Sequence, residues 1–327
     1  MERNSLSIRR RTTTGQNLPK DFVPKVVDFV QFCKNQRDRY EFPLSCIANM
    51  DETPIWADAP SNTTICKTGV KSVPIRTTGH EKNRITVCLA AKADGTKLRP
   101  YIVIPGKKVP RELEQMNGVV IVASPNGWMN ETLTLDWINR VWGNLVFGQK
   151  RFLVWDSFRC HISDRAKAAV ARRNTIMGII PGGCTKFLQP VDVSLNKPVK
   201  EGYRECYDKW FAEGVHELTK GGLMKAPAMK LQINWVLQVW NDLSADIIRK
   251  SFQTCGITTS DPTLIHCMKD GELAEDAATI LRERMQDREK QHDPDVVVPD
   301  EPEEDYDDDD EMQLQELNEA EKSDIVV

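Results

Sequence analysis

Three aspartates in this chain sit where a polypeptide can aim a carboxylate. Asp156 closes the apolar run Phe152-Leu153-Val154-Trp155 and is followed by the polar stretch that ends at His161. Asp51 follows the compact, mostly apolar Leu44-Ser45-Cys46-Ile47-Ala48-Asn49-Met50 and precedes Glu52-Thr53-Pro54. Asp192 lies just after Pro190, near the start of a long helical pattern. Carboxylate oxygens are hard ligands suited to Mg²⁺ or Mn²⁺, and a single carboxylate cannot hold a pair of such ions, so this chemistry needs a set. Taken singly, each acid has an ordinary role. Asp51 suits a strand-end turn, Asp156 an Asx turn, and Asp192 a helix first turn favoured by the macrodipole. Their joint placement on the elements below shifts the balance toward a shared site.

Pro24 can open a helix whose Val26, Val27, Val30 and Cys33 share one face. Residues 44–50 predict a central strand ending at Asp51, with Pro54 marking the break. Strands at Arg84–Ala91 and Leu98–Ile104 are joined by the hairpin signal Asp94-Gly95, and Gly118–Ala123 can supply another. Asn130 caps a helix with the stripe Leu133, Trp137, Ile138, Val141, Trp142 and Leu145, a spacing that makes the tryptophans core residues. The Asp156 strand, a helix over Ser163–Arg173 and a strand over Thr175–Ile180 form a parallel βαβ unit. A helical pattern then runs from Leu188 through Leu195, Val199, Tyr203, Cys206 and Trp210, and Pro198 is expected to bend or divide it. Two further helices, Leu231–Leu243 and Ser244–Thr254, end at Gly256. The fold class is therefore α/β, a mixed sheet flanked by helices with a helical C-terminal layer. With acids on the first strand, at the end of the fourth and on a later helix, it has the layout of an RNase H-like nuclease.

The chain of 327 residues is 40% apolar, enough for a real core in one large domain or two ordinary ones. No apolar run reaches the roughly 20 residues of a membrane helix, and the N-terminal residues lack the apolar block of a secretory signal, so an intracellular protein is expected. Nine scattered cysteines without a CxxC pair speak against zinc fingers and disulfide frameworks, and fit reduced thiols in the cytosol or nucleus. The net charge of −4 is uneven: residues 293–327 hold 16 acids and one base, which leaves 1–292 at +11. A basic body makes a polyanion a reasonable partner, and a general surface excess of lysine and arginine is the plain alternative. Arg9, Arg10 and Arg11 could lie on a phosphate backbone or belong to a solvated terminus. The acidic segment from Asp293 is expected to be disordered, either as a solvated tail or as a site for a basic protein partner.

Several motifs together resemble the DDE endonuclease domain of pogo- and Tigger-type transposases, the group to which centromere-protein-B-like and Jerky-like proteins are related. They are Met50-Asp51-Glu52-Thr53-Pro54, Val154-Trp155-Asp156 with His161 five residues on, and Phe187-Leu188-Gln189-Pro190-Val191-Asp192 continuing to Asn196-Lys197-Pro198. Leu6 to Thr13 looks like the end of that group's helix-turn-helix DNA-binding module, and Trp240 to Ile257 like its C-terminal helices. The resemblance implies a remnant module and linker over 1–22, an RNase H-like endonuclease domain over 23–258, a helical linker segment over 259–292 and the acidic tail over 293–327. It implies Asp51, Asp156 and Asp192 as catalytic metal ligands for two Mg²⁺ or Mn²⁺ ions, with 35 residues between the second and third. His161 is implied in a supporting role. The implied activity is DNA cleavage followed by strand transfer, in the nucleus, with DNA as partner and a possible homo-oligomer. A domesticated, catalytically inactive nucleic-acid or chromatin-binding protein is the alternative.

Overall fold

The structure is a computed structural model, and it describes residues 21–59, 78–80, 83–143, 148–213, 216–220, 222, 224–268 and 272–288. Arg9, Arg10, Arg11, Leu145 and the acidic segment lie outside the described residues. The elements run α1 (Phe22–Tyr40), β1 (Ile47–Trp56), β2 (Arg84–Lys92), β3 (Tyr101–Pro105), α2 (Arg111–Glu114), β4 (Val120–Ser124), α3 (Glu131–Trp137), β5 (Arg151–Trp155), α4 (Arg159–Ile162) and α5 (Asp164–Ala171). They continue with β6 (Thr175–Ile179), α6 (Thr185–Leu188), α7 (Asn196–Glu213), α8 (Met229–Asp242), α9 (Ala245–Thr254) and α10 (Glu272–Arg288). π-helical turns at Ile138–Trp142 and Val191–Leu195 extend α3 and precede α7.

One mixed sheet in the order β4-β3-β2-β1-β5-β6 organises these elements. β2 is antiparallel to both of its neighbours, β1 and β3, and β5 runs parallel to both β1 and β6. Alternation along each strand divides the core between two faces. Ile47, Ile55, Val87, Phe152 and Val154 face one apolar layer with residues of α1, α7, α8 and α9, while Met50, Cys88, Leu153 and Trp155 face the other with residues of α3 and α5. Strand β5 is covered on both sides, which is why its sequence is an unbroken apolar run rather than an alternating one. Fully burying each large side chain such as Phe29 or Phe252 contributes about 1.5–3 kcal/mol.

Local signals place the helices. The side chain of Asn130 accepts from the Leu133 amide at 3.0 Å and so caps α3, and Ser163 and Ser244 do the same for α5 and α9. Trp137 and Trp142 are core.

Four details depart from the expectations drawn from sequence. First, Pro54 does not end β1, which stays paired with β2 as far as Trp56 opposite Arg84. The β5 side of β1 is paired only over Ile47–Asn49, so a residue lacking an N–H is tolerated beyond that point. Second, β4 joins the sheet edge parallel to β3, so Asp156 follows the fifth strand and not the fourth. Third, β3 starts at Tyr101, because the pairing slips by one residue between the Ala91–Lys97 bridge and the Cys88–Tyr101 pair. A bulge is the natural result where Pro100 cannot donate to a ladder. Fourth, Pro198 does not divide α7. It occupies the third position, and the wider π-helical winding that ends with the Asn196 N–H bonded to Val191 O falls just before it, at Leu195–Asn196.

Candidate active site

The first two acids are neighbours because of strand register. Asn49 of β1 lies opposite Val154 of β5, the last pair before the strands part. Asp51 and Asp156 each come two residues later. Strand pairing alone thus brings together two carboxylates that are 105 positions apart in the chain.

The third acid is brought in by a buried amide pair. Asn49 Nδ2 donates to Val154 O at 2.9 Å and to Gln189 Oε1 at 3.1 Å, and Gln189 Nε2 donates to Met50 O at 3.2 Å. Asn49 Oδ1 accepts the Val191 amide at 3.2 Å. Both side chains are buried, so every one of these bonds replaces water that cannot reach them. They tie the segment before Asp192 to the two strands that carry Asp51 and Asp156. Asn196, one helical turn beyond Asp192, donates to its Oδ1 at 2.8 Å.

The three carboxylates act on one another. Burial, then repulsion by Asp192, Glu52 and Asp156, pushes the Asp51 carboxyl well above the usual range. Asp192 reaches solvent but is raised too, chiefly because protein closes over part of it, with Asp156 adding repulsion. Asp51 is raised further than Asp192, as the more deeply buried of the two. Asp156 behaves oppositely. Burial works against its ionised form, yet a bond from His161 and that ring's charge hold it below the ordinary value. Lys200, two turns along α7 from Asp192, is lowered by burial while the charges of Asp192 and Asp51 pull against that shift.

His161 is fully buried, lies flat against Trp155 with ring centroids 4.6 Å apart, and meets Asp156 Oδ1 through Nδ1 at 2.5 Å. Its Nε2 is 3.2 Å from Glu52 Oε1. Burial disfavours the charged ring, but the two carboxylates outweigh it and hold His161 well above its ordinary value.

The donor chemistry fits hard divalent cations: oxygen ligands that repel one another. Ser157 Oγ and Asn196 Oδ1, next to two of the acids, are buried without a hydrogen-bond partner. A hydrated ion would meet that need. Among the described residues, however, no three His, Cys, Asp or Glu side chains form a ready-made metal cage.

Asn49, Gln189, Glu52 and Lys200 were not singled out as site residues from sequence. A polar residue inside an apolar run was the available signal for Asn49 and Gln189. For Glu52 and Lys200 there was none, since their relevance depends on which face they occupy.

The chain matches the family model described as DDE superfamily endonuclease over residues 82–252, just over half its length, a span that includes Asp156 and Asp192 and begins after Asp51. It is 35% identical over 263 residues to "Pogo transposable element with KRAB domain" of Mus musculus and of Homo sapiens, covering 80% of this chain and 43% of each relative. The chain therefore spans less than half the length of these curated relatives. Among solved structures, the Mos1 strand transfer complex aligns at TM-score 0.51 with 12% identity, over 85% of this chain and 67% of that one. The Mos1 mariner paired end complex with Mn aligns at 0.51 with 11% identity, over 85% and 68%. At such identity the likeness concerns the fold, an RNase H-like mixed sheet with a helical C-terminal part. By family match, relatives and architecture, the chain belongs to the DDE superfamily endonucleases, as a pogo-type, transposase-derived member.

Proposed function

We propose that this chain is a metal-dependent DNA endonuclease and strand transferase of the transposase type, working in the nucleus on DNA. The observation that carries the reading is the clustering of Asp51, Asp156 and Asp192 at the point where β1 and β5 part, with Asp156 adding to the repulsion that raises both Asp51 and Asp192. Asp51, Asp156 and Asp192 would hold two Mg²⁺ or Mn²⁺ ions, which when bound activate the attacking oxygen and stabilise the leaving oxygen of an in-line displacement at phosphorus. The solved Mos1 complex with Mn supports divalent metal for this fold.

The chain's own residues supply the rest. The Asn49–Gln189 pair holds the third acid against the first two, His161 neutralises charge beside Asp156, and Lys200 brings a cation close to Asp192 and Asp51. The +11 of residues 1–292 suits a phosphate backbone. Water as nucleophile gives hydrolysis and a free 3′-hydroxyl, and that hydroxyl as nucleophile gives strand transfer by transesterification. A homo-oligomer belongs to this reading, since strand transfer has to bring two DNA ends together.

The test is incubation of supercoiled DNA with the protein and Mg²⁺ or Mn²⁺. Nicks bearing 3′-hydroxyls are expected, absent with EDTA and absent in Asp156→Ala; equal nicking by that variant would sink the proposal. The basic body also supports a second reading, a domesticated DNA- or chromatin-binding protein without catalysis. It predicts salt-sensitive DNA binding that survives Asp51→Ala with no nicking by the wild type, and lack of binding at low salt would exclude it.

A further inference from the structure

Glu52 belongs to none of the three metal-ligand positions, yet its geometry ties it to two of them. Adjacent residues on a strand face opposite sides of the sheet. Asp51 therefore turns toward Asp192 on the α7 side, and Glu52 turns toward the side of Trp155 and α4. There α4 carries His161 back beneath the end of β5, where it stacks on Trp155 at an interplanar angle of 8°.

The two contacts of this ring decide what Glu52 does. Both imidazole nitrogens face carboxylate oxygens, Asp156 Oδ1 at 2.5 Å and Glu52 Oε1 at 3.2 Å. Each carboxylate therefore holds one ring nitrogen, and the ring is fixed at both ends. Without Glu52 the far nitrogen would lose its partner in a place water cannot reach. Asp156 Oδ1 also accepts the Phe158 amide at 3.2 Å, so its bonds from His161 and Phe158 converge on one oxygen.

We propose that Glu52 is a positioning residue: by holding the far nitrogen of His161, it sets the orientation of the Asp156 carboxylate relative to Asp51. This rests on the reading of Asp156 as a metal ligand. Because Glu52 follows Asp51 directly in β1, one dipeptide holds the first acid by backbone and the second through a buried ring. Partners that orient a metal-ligating group are commonly worth 10–100-fold in metal affinity.

The experiment compares the full chain with Glu52→Ala and Glu52→Gln, each shown to be folded by circular dichroism. It measures Mn²⁺ binding by electron paramagnetic resonance and the His161 ring by ¹⁵N NMR, with His161→Gln used to assign its signals. Wild type should show an Nε2 shift typical of a hydrogen-bonded ring nitrogen. In Glu52→Ala the Nε2 shift should move and Mn²⁺ affinity should drop by about 10–100-fold with the number of ions unchanged. Glu52→Gln, which keeps polar atoms at the same place, should recover most of both. Wild-type affinity in Glu52→Ala, or an unchanged Nε2 shift, overturns the proposal. So does an equal loss of one bound ion in both variants, because Glu52 would then be a ligand itself. If the wild type binds no Mn²⁺, the metal reading of Asp156 fails separately, and the ring signals with the Asp156 carboxyl ¹³C shift alone decide whether Glu52 positions the pair.

Discussion

Asn49 Nδ2 lies 3.1 Å from Gln189 Oε1 in a fully enclosed part of the core, and this contact is where the first strand meets the segment that carries the third acid. Replacing either residue with alanine leaves buried polar partners unsatisfied, which costs about 1–3 kcal/mol for each substitution. The double variant should cost less than the sum, since each single change already breaks the shared bond. Urea melts of the two singles and the double check this. Mn²⁺ binding should weaken along with stability, and full additivity would show that the two amides do not act as a unit.

Asp51→Asn should make the metal-free protein more stable. Asp51 is an acid whose folded value is raised by burial and by Asp192, Glu52 and Asp156, so the unfolded chain ionises first and stability is lost as the pH rises from the ordinary 3.8 through that raised value. An asparagine removes the repulsion. A gain of about 0.5–2 kcal/mol in EDTA is the expected size. Adding Mg²⁺ should raise the melting temperature of the wild type and leave that of the variant nearly unchanged. Thermal melts with and without metal decide it.

Asp58 gives a pH dependence of the opposite sign. It follows β1 and accepts from the Thr78 amide at 3.1 Å, the Thr78 hydroxyl at 2.7 Å, the Tyr207 hydroxyl at 2.7 Å and the His80 amide at 2.7 Å. Burial alone would raise its carboxyl, but these donors outweigh burial and hold it below the ordinary 3.8. A depressed acid stabilises the fold fully above its unfolded value and loses that contribution as the pH falls through its folded value. Asp58→Asn should therefore cost about 1–3 kcal/mol near neutral pH. The difference from wild type should shrink once the pH falls below 3.8. Denaturant melts across that range read it directly.

Gly178 on β6 is a packing constraint. A Cβ there would come within 2.8 Å of Phe152 Cζ and 3.2 Å of Val154 Cγ2 on the neighbouring β5. Gly178→Ala should destabilise by about 1–3 kcal/mol through overpacking. Because Asp156 directly follows β5, Mn²⁺ affinity should fall as well, and unchanged stability would show that Phe152 can move aside.

Much of the architecture was legible in local patterns. The unbroken apolar run of β5, the Asn130 cap, the tryptophan stripe of α3 and the βαβ rhythm of β5-α5-β6 are properties of residues close together in sequence. Backbone sterics and hydrophobic periodicity act at that range. The three aspartates were visible for the same reason, Asp156 and Asp192 at element boundaries that their own neighbours define and Asp51 as an acid within an apolar strand.

What only the tertiary structure decided is nonlocal. Pro54 reads as a strand breaker until β5 is seen to part from β1 at Asn49, leaving that side of β1 without a ladder. Glu52 reads as one more surface acid until the sheet puts Asp51 and Glu52 on opposite faces and α4 brings His161 to the second. The adjacency of β1 and β5 joins residues about a hundred positions apart, and no periodicity within a strand encodes which strand will lie beside it. That adjacency follows from burying both faces of the sheet at once, and it turns three separate aspartates into one site.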